Sequence, residues 1–457
     1  MTDPNDKSMI LCASVMHGVG MHLGAWIMRD GEAADYVSPE LYTEIARTAE
    51  EAKLHGVFFA DSLTISETGV ERPRGALDPV MLLALMSAAT RNVGLIATAS
   101  TTYDDPYLLA RRFGTLDHIS HGRAGWNAVT SVDPGAAAQF GGDRLPVRAD
   151  RYAVAEEFLQ VTFDLWDSWQ PDALVGDKAR KLFADPAKVH SINHVGEYFK
   201  VAGPLPFPRS PQGRPVIFQA GASEDGRRVG AAYADVIFTA QHLLDGAVDF
   251  RRDMQRRAAR LGRQLKVLPG MSVSLGGTEA EAISRRKELD EAAGLELELK
   301  KLSQRTGVPV EALVPDEKFP FDKMPSDEEF GASAGYRRSV VELAAKEDLT
   351  VRDLIARYGG GQHLVVGTPE QVADVMRQWL DAGAADGFNL MVDMLPSGLA
   401  DIRDMLIPEL QQRGLFHEDY RDVTFRESLG LPAVGSAGCT PAPPAAAGGE
   451  RVRSIEV

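Results

Sequence analysis

The sequence predicts an α/β protein built on a parallel (β/α)8 TIM barrel with insertions. Three observations carry that expectation. Short apolar runs rich in β-formers alternate with longer stretches of helical periodicity, the pattern of βα units. Followed to its end, the chain yields eight strands. Its length of 457 residues suits one decorated barrel, since such barrels run from about 200 to more than 400 residues. The first half alone would also fit a doubly wound sheet.

Taken in order, residues 9–15 read as the first strand and 39–55 as a helix, started by Ser38 with Pro39 at its first position and broken at Gly56. Residues 57–60 form a buried strand ending at Asp61, and a long loop leads to a helix over 78–89. A strand at 93–99, a helix opened by Pro106 and running to 119, and a strand at 122–129 complete four units. After a Gly- and Pro-containing loop over 133–147, a long helix at 149–166 leads into an irregular insertion at 170–213, with a hairpin near Gly196. Regular alternation resumes with strands at 215–220, 235–240 and 266–275. A charged, helical second insertion over 278–362 is expected to serve as a lid or an oligomer contact. Gly367-Thr368-Pro369 begins another helix, 387–392 is the last strand, and a helix at 402–412 closes the barrel. The barrel with its insertions thus spans 1–432, and the Pro-, Ala- and Gly-rich residues 433–457 are expected to be a disordered tail.

Composition narrows the function classes. The 44% apolar content supports a large core, and no apolar run nears the roughly 18 residues that cross a bilayer. The first eight residues are polar and lack the pattern of a signal peptide, so a soluble, cytoplasmic protein is expected. A net charge of -16, from 65 acidic and 49 basic residues, repels nucleic acid and anionic membrane. Two cysteines, Cys12 and Cys439, make no disulfide framework.

In a parallel barrel the active site gathers at the carboxyl ends of the strands. Those ends carry Asp61, then Thr98, Ser100 and Thr101, then Asn127 and Thr130, then Gly221-Ala222-Ser223. Any one of them is ordinary turn chemistry, but four consecutive polar ends suit a heteroaromatic ligand with many donors and acceptors. The turn Gly221-Ala222-Ser223 before a helix offers backbone N–H groups and a hydroxyl, a phosphate-binding geometry that a simple helix cap would equally produce. Trp126 fits the core better than a stacking role. His17 and His22 lack metal-pair spacing, and His190 and His194 sit among helix-breaking neighbours, so no metal site is assigned. Gly18, Gly20 and Gly24 miss the GxGxxG spacing, and neither GxxxxGK[ST] nor GxSxG occurs.

Phe59-Ala60-Asp61, Ala97-Thr98-Ala99-Ser100-Thr101, Gly125-Trp126-Asn127-Ala128-Val129-Thr130, Arg151-Tyr152 with Glu156-Glu157-Phe158, and Gln219-Ala220-Gly221-Ala222-Ser223 together resemble the bacterial luciferase-like flavin-dependent monooxygenases. The likeness is to their nitrilotriacetate, dimethyl sulfide and dibenzothiophene sulfone branch (the large component). It continues through Gly367-Thr368-Pro369, Asp386-Gly387-Phe388-Asn389-Leu390 and Pro408-Glu409-Leu410 to Arg426-Glu427. The resemblance implies that Asp61, Thr98 and Asn127 lie near the isoalloxazine and ribityl groups of FMN and that Ser100 assists. Tyr152 and Ser223, with Gly221 and Ala222 in the same turn, would hold the phosphate. Where the family usually has histidine four residues before that tyrosine, this chain has Arg148, which can pair with phosphate but cannot act as a neutral acid or base. No catalytic residue is assigned.

The implied reaction is insertion of one atom of O2 into a small amine, sulfur compound or heterocycle through a flavin 4a-hydroperoxide, using reduced FMN (FMNH2). A separate NAD(P)H:FMN reductase would be the partner, since no nicotinamide-binding fold is evident, and a homo-oligomer (dimer or tetramer) is expected. A deazaflavin-dependent oxidoreductase of the same superfamily, a barrel metallohydrolase and a flavin-binding protein without turnover are the alternatives.

Overall fold

The computed structural model describes residues 8–15, 19–65, 77–133, 135–326, 330, 334–358, 361–421 and 424–435. In chain order its strands are β1 (Ile10–Val15), β2 (Gly56–Phe59), β3 (Gly94–Ser100) and β4 (Ala124–Val129), followed by two small hairpins, β5 (Leu174–Asp177) with β6 (Leu182–Ala184) and β7 (His194–Val195) with β8 (Lys200–Val201). Then come β9 (Val216–Gln219), β10 (Val236–Thr239), β11 (Lys266–Leu275), β12 (His363–Gly367) and β13 (Gly387–Val392). Parallel pairing runs β1-β2-β3-β4-β9-β10-β11-β13 and returns to β1, so eight strands close a barrel. The expected fold class holds.

Local sequence explains the alternation of elements. Four of the helices that follow strands open with proline at their first position, behind a side-chain cap: Ser38 accepts from the Leu41 amide (3.2 Å), Asp78 from Met81 (3.0 Å), Asp105 from Leu108 (2.9 Å) and Thr368 from Gln371 (3.4 Å). Proline loses nothing there because the first helical N–H groups have no partner inside the helix. Helix Pro39–Glu51 then buries Leu41, Tyr42, Ile45 and Ala49 on one face. At about 1.5–3 kcal/mol for each large apolar side chain removed from water, that stripe is what fixes the helix on the sheet.

Two cores result from the alternation of side chains along each strand. One lies between sheet and helices and includes Leu11, Val57, Leu95, Trp126 and Leu390. The other fills the inside of the barrel with Ile10, Cys12, Phe58, Ile96, Val216, Phe218 and Leu268, and it includes Phe425, Leu429 and Leu431 from the C-terminal segment. Phe425 enters from the end opposite the strand termini and stacks on Phe218 (centroids 6.1 Å apart, planes at 8°). Glycines make the space for it: a Cβ on Gly94 would collide with its ring, and one on Gly125 would stand 3.2 Å away. Arg426 fastens the segment with two bonds to the buried Asp235 carboxylate (3.2 and 2.8 Å).

Several boundaries differ from the sequence reading. β12 was not expected. It pairs with β11 beyond the end of β10, as a ninth strand outside the closed ring, and its half-buried His-Leu-Val-Val run is too short to stand out from the helical insertion before it. The fourth strand begins at Ala124, because Gly122 adopts φ +86° in the preceding turn. The long helix begins at Arg148 itself. The hairpin near Gly196 is present, but that over 174–184 was unforeseen. The helix expected over 402–412 contains a π-helical turn, Ile402–Leu406. Residues 436–457, on which the expected disordered tail mostly falls, and His17 lie outside the described residues.

The 278–362 segment holds helices Glu279–Ala293, Leu295–Thr306, Ala334–Glu347 and Val351–Arg357 around a small core of its own, including Leu302, Val308, Phe319, Leu343 and Leu354. Arg285 ties its first helix to the barrel rim through Asp393 (2.8 and 2.9 Å) and Asp401 (2.5 Å). Among the described residues no helix is long and apolar enough to cross a membrane.

Candidate active site

One cleft of about 350 Å³ opens at the carboxyl ends of the barrel strands. The nine residues expected to hold the cofactor line it, Asp61, Thr98, Ser100, Asn127, Arg148, Tyr152, Gly221, Ala222 and Ser223, as does the strand-end Thr130, whereas Thr101 does not. They come from the ends of β2, β3, β4 and β9 and from the first turns of the helix Arg148–Trp166, which is how a parallel barrel converts distant sequence positions into one surface.

On the β3–β4 side, Thr98 and Asn127 are register partners whose side chains meet, Asn127 Nδ2 donating to Thr98 Oγ1 (2.9 Å). Asn127 is 4% exposed and its Oδ1 has no partner. A buried carbonyl left unpaired costs about 1–3 kcal/mol, so this oxygen is placed to accept from a ligand. Ser100 shares a hydrogen bond with Ser131 (2.7 Å), and the Ser131 carbonyl accepts from Arg151 Nη1 (2.8 Å). These contacts hold Ser131 at φ +38°, a conformation that a serine adopts only under constraint.

The opposite wall is the turn after β9. Ser223 caps the helix Glu224–Tyr233 by accepting from the Gly226 amide (3.2 Å) and donates to the Tyr152 hydroxyl (3.4 Å). A Cβ on Gly221 would strike the Gln219 side chain and stand 2.8 Å from the Gly226 Cα, so the tight turn requires glycine. Arg148, Arg151 and Tyr152 share one helical face at i, i+3 and i+4. Their helix presents the positive end of its dipole here.

Electrostatics mark two groups. Burial raises the Asp61 carboxyl, the Ser62 amide (2.8 Å) opposes it, and Asp78 and Asp104 add their repulsion, leaving it at about 6. Burial also lowers Arg151, which is 6% exposed. Tyr152 opposes that shift, the neighbouring Arg148 charge adds to it, and the Arg151 Nε has no partner. A buried guanidinium with an unpartnered nitrogen and no carboxylate favours an anion beside it.

Other lining residues were not foreseen. Arg151 stood in a quoted motif without a role, although helical register alone places it beside Arg148 and Tyr152. Ser131 carries no sequence signal. Arg305, Gly335 and Gln362 reach the cleft from the 278–362 segment, and a Cβ on Gly335 would stand 2.6 Å from that of Ala222. Phe58, Phe238 and Met391 also line the cleft, and the two phenylalanine rings meet at 5.7 Å.

The histidines and Trp126 have other work. His22 bonds Asp290 (3.0 Å) and the Gly24 amide (3.1 Å). His194 pairs with Glu157 (2.9 Å), whose carboxylate also takes the amides of Glu197, Tyr198 and Phe199. Trp126 is fully buried, donates to the Ala99 carbonyl (3.1 Å) and packs against Phe113, Phe158 and Trp166. Among the described residues no three His, Cys, Asp or Glu side chains gather where a metal ion could sit.

Comparison with known proteins adds to this geometry. The family model described as luciferase-like monooxygenase matches residues 21–386. Nitrilotriacetate monooxygenase component A of Aminobacter aminovorans is 40% identical over 431 residues, covering 90% of this chain and 94% of that protein. The N-acetyl-S-(2-succino)cysteine monooxygenase of Bacillus subtilis (strain 168) is 38% identical over 434 residues, covering 93% and 97%. Among solved structures, a riboflavin lyase with modified FMN and riboflavin superposes with a TM-score of 0.80 at 30% identity, covering 93% of this chain and 96% of that one.

Proposed function

The chain belongs to the luciferase-like monooxygenase family and is a flavin-dependent monooxygenase, and from that premise we propose that it is the oxygenase of a two-component system using reduced FMN. The observation that carries the reading is the meeting of two complementary ends in one cleft. Unpaired Asn127 Oδ1 and its neighbour Thr98 offer an acceptor and a hydroxyl to a ring system with amide-like edges, with Asp61 and Ser100 nearby. Tyr152, Ser223 and the buried Arg151 offer donors and charge to a phosphate, with Gly221 and Ala222 letting the backbone approach and Arg148 adding a second guanidinium. The residues fit a flavin mononucleotide.

When bound, reduced FMN would supply the two electrons that let O2 give one atom to a small amine, sulfur compound or heterocycle and the other to water. The protein's part is to orient and to exclude solvent. Phe58, Phe238 and Met391 form an apolar part of the lining, and Arg305, Gly335 and Gln362 of the 278–362 segment border the cleft, which would help to keep water from the reacting oxygen. Arg148 cannot pass a proton, whereas Asp61, at about 6, exchanges one near neutrality.

A separate NAD(P)H:FMN reductase is the implied partner, acting in the cytoplasm where reduced nicotinamide is available. The test is anaerobic titration of the purified protein with FMNH2, then turnover with a generic reductase and a panel of amines, thioethers, sulfones and heterocycles. Saturable uptake and products heavier by one oxygen are expected, with no NADH consumed when the reductase is omitted. Absence of saturable FMNH2 binding would end the proposal.

A further inference from the structure

Arg151 is a cation held by a neutral group. It is 6% exposed, its Nε has no partner, and among the described residues its guanidinium meets no carboxylate and makes one hydrogen bond, from Nη1 to the Ser131 carbonyl (2.8 Å). The charge of Arg148, three residues earlier on the same helix, pushes against it. A carbonyl fixes the direction of a guanidinium without cancelling its charge, whereas a carboxylate in the same place would compete with an incoming anion.

The residue that supplies this carbonyl is itself restrained. Ser131 lies at φ +38°, in the left-handed region that residues with a Cβ seldom adopt, and an unrestrained loop would relax out of it. The end of β3 prevents that. Ser100 shares a hydrogen bond with the Ser131 hydroxyl (2.7 Å), and Thr102 Oγ1 donates to the Thr130 carbonyl (3.0 Å), fixing the peptide that enters Ser131. Ser100 stands two residues beyond Thr98, on the same face of the strand, and Thr98 bonds Asn127 (2.9 Å). A serine that merely completed a loop could place its hydroxyl and its carbonyl on any neighbours. Both here go to side chains that line the cleft, one at each end of it.

We propose that Ser131 is a positioning residue, whose carbonyl aims Arg151 at the cofactor's phosphate and whose bond to Ser100 ties that aim to the strand carrying Thr98. The inference rests on the flavin reading above and deepens it by naming a residue to which no motif or resemblance pointed. An arginine aimed before the ligand arrives gives up less side-chain freedom when the ligand binds. Because Ser131 acts through Arg151, its removal is felt by a flavin that carries a phosphate and not by one that lacks it.

The experiment titrates the full chain anaerobically with reduced FMN and with reduced riboflavin. The two Kd values are compared for the wild type, Ser131→Gly, Ser131→Asn, Arg151→Gln and the double variant Ser131→Gly/Arg151→Gln. Glycine accepts the left-handed backbone and drops the hydroxyl, while asparagine tolerates that backbone and returns a polar side chain. The wild type is expected to bind FMN about tenfold or more tightly than riboflavin. Ser131→Gly should weaken FMN about fivefold or more and riboflavin less than about twofold, and Ser131→Asn should restore part of the FMN affinity. In the Arg151→Gln background, Ser131→Gly should move neither Kd by more than about twofold, since the two residues act in series. Equal losses for both flavins would make Ser131 a purely structural residue and overturn the proposal. An unchanged FMN Kd in Ser131→Gly, or a full effect that persists without Arg151, overturns it as well. So does a wild type that binds the two flavins equally, because no phosphate grip would exist for Ser131 to set. A wild type that takes up neither flavin is a different result and sinks the flavin reading instead.

Discussion

At the end of β2 the Asp61 carboxyl loses water without gaining a cation, and Asp78 and Asp104 make its charge costlier still. Its pKa therefore rises from 3.8 to about 6 on folding. A raised carboxyl pKa means that the folded state binds the proton more tightly than the unfolded chain. The associated stability is complete below pH 3.8 and disappears as pH climbs through about 6. Asp61→Asn, which keeps the shape and removes the charge, should leave stability near pH 4 unchanged and raise it at pH 8 by about 2 kcal/mol, allowing for partial exposure. Thermal unfolding of both proteins across pH 4–8 checks this, and a constant difference at every pH would refute the assignment. Asp61's position was legible because a polar residue closes an apolar run. Its titration was not, because Asp78 and Asp104 approach it from other parts of the chain.

Helix Arg148–Trp166 illustrates what an element adds to its residues. Regular turns carry Arg148, Arg151 and Tyr152 to one face, so that three side chains form a single wall of the cleft. The short helix Phe425–Ser428 does the opposite kind of work, closing the far end of the barrel with one aromatic ring and one buried ion pair. Emptying that space removes the ring's burial and leaves a cavity that backbone glycines cannot fill. Phe425→Ala should cost about 3–5 kcal/mol in denaturant unfolding, whereas a loss below 1 kcal/mol would show that the plug is dispensable. The sequence displayed Arg426-Glu427 as a motif but no reason for it. That reason is Asp235, nearly two hundred residues away along the chain and bonded to both terminal guanidinium nitrogens.

At the scale of the whole molecule, the 278–362 segment borders the cleft that the barrel builds. Gly335 lies against Ala222 of the turn after β9, while Arg305 and Gln362 contribute to the cleft's lining. Filling the cleft should therefore restrain the segment. Hydrogen exchange in helices Leu295–Thr306 and Ala334–Glu347 is expected to slow severalfold when reduced FMN binds anaerobically, with the helix Pro39–Glu51 unchanged as an internal reference. Equal protection with and without flavin would separate the insertion from the site.

Strand and helix periodicity, proline-led caps and polar strand ends are local properties, written in neighbouring residues and governed by backbone geometry. These determined the eight-stranded barrel and seven of the cleft residues, whereas Arg148 and Tyr152 came from the resemblance to a known family. Which distant groups share a volume depends on closure of the sheet and packing of the insertion, where burial and charge act through space without regard to sequence separation. Only tertiary structure could thus bring Arg305 into the cleft, leave Arg151 buried without a carboxylate, and hold the Asp61 proton near neutrality.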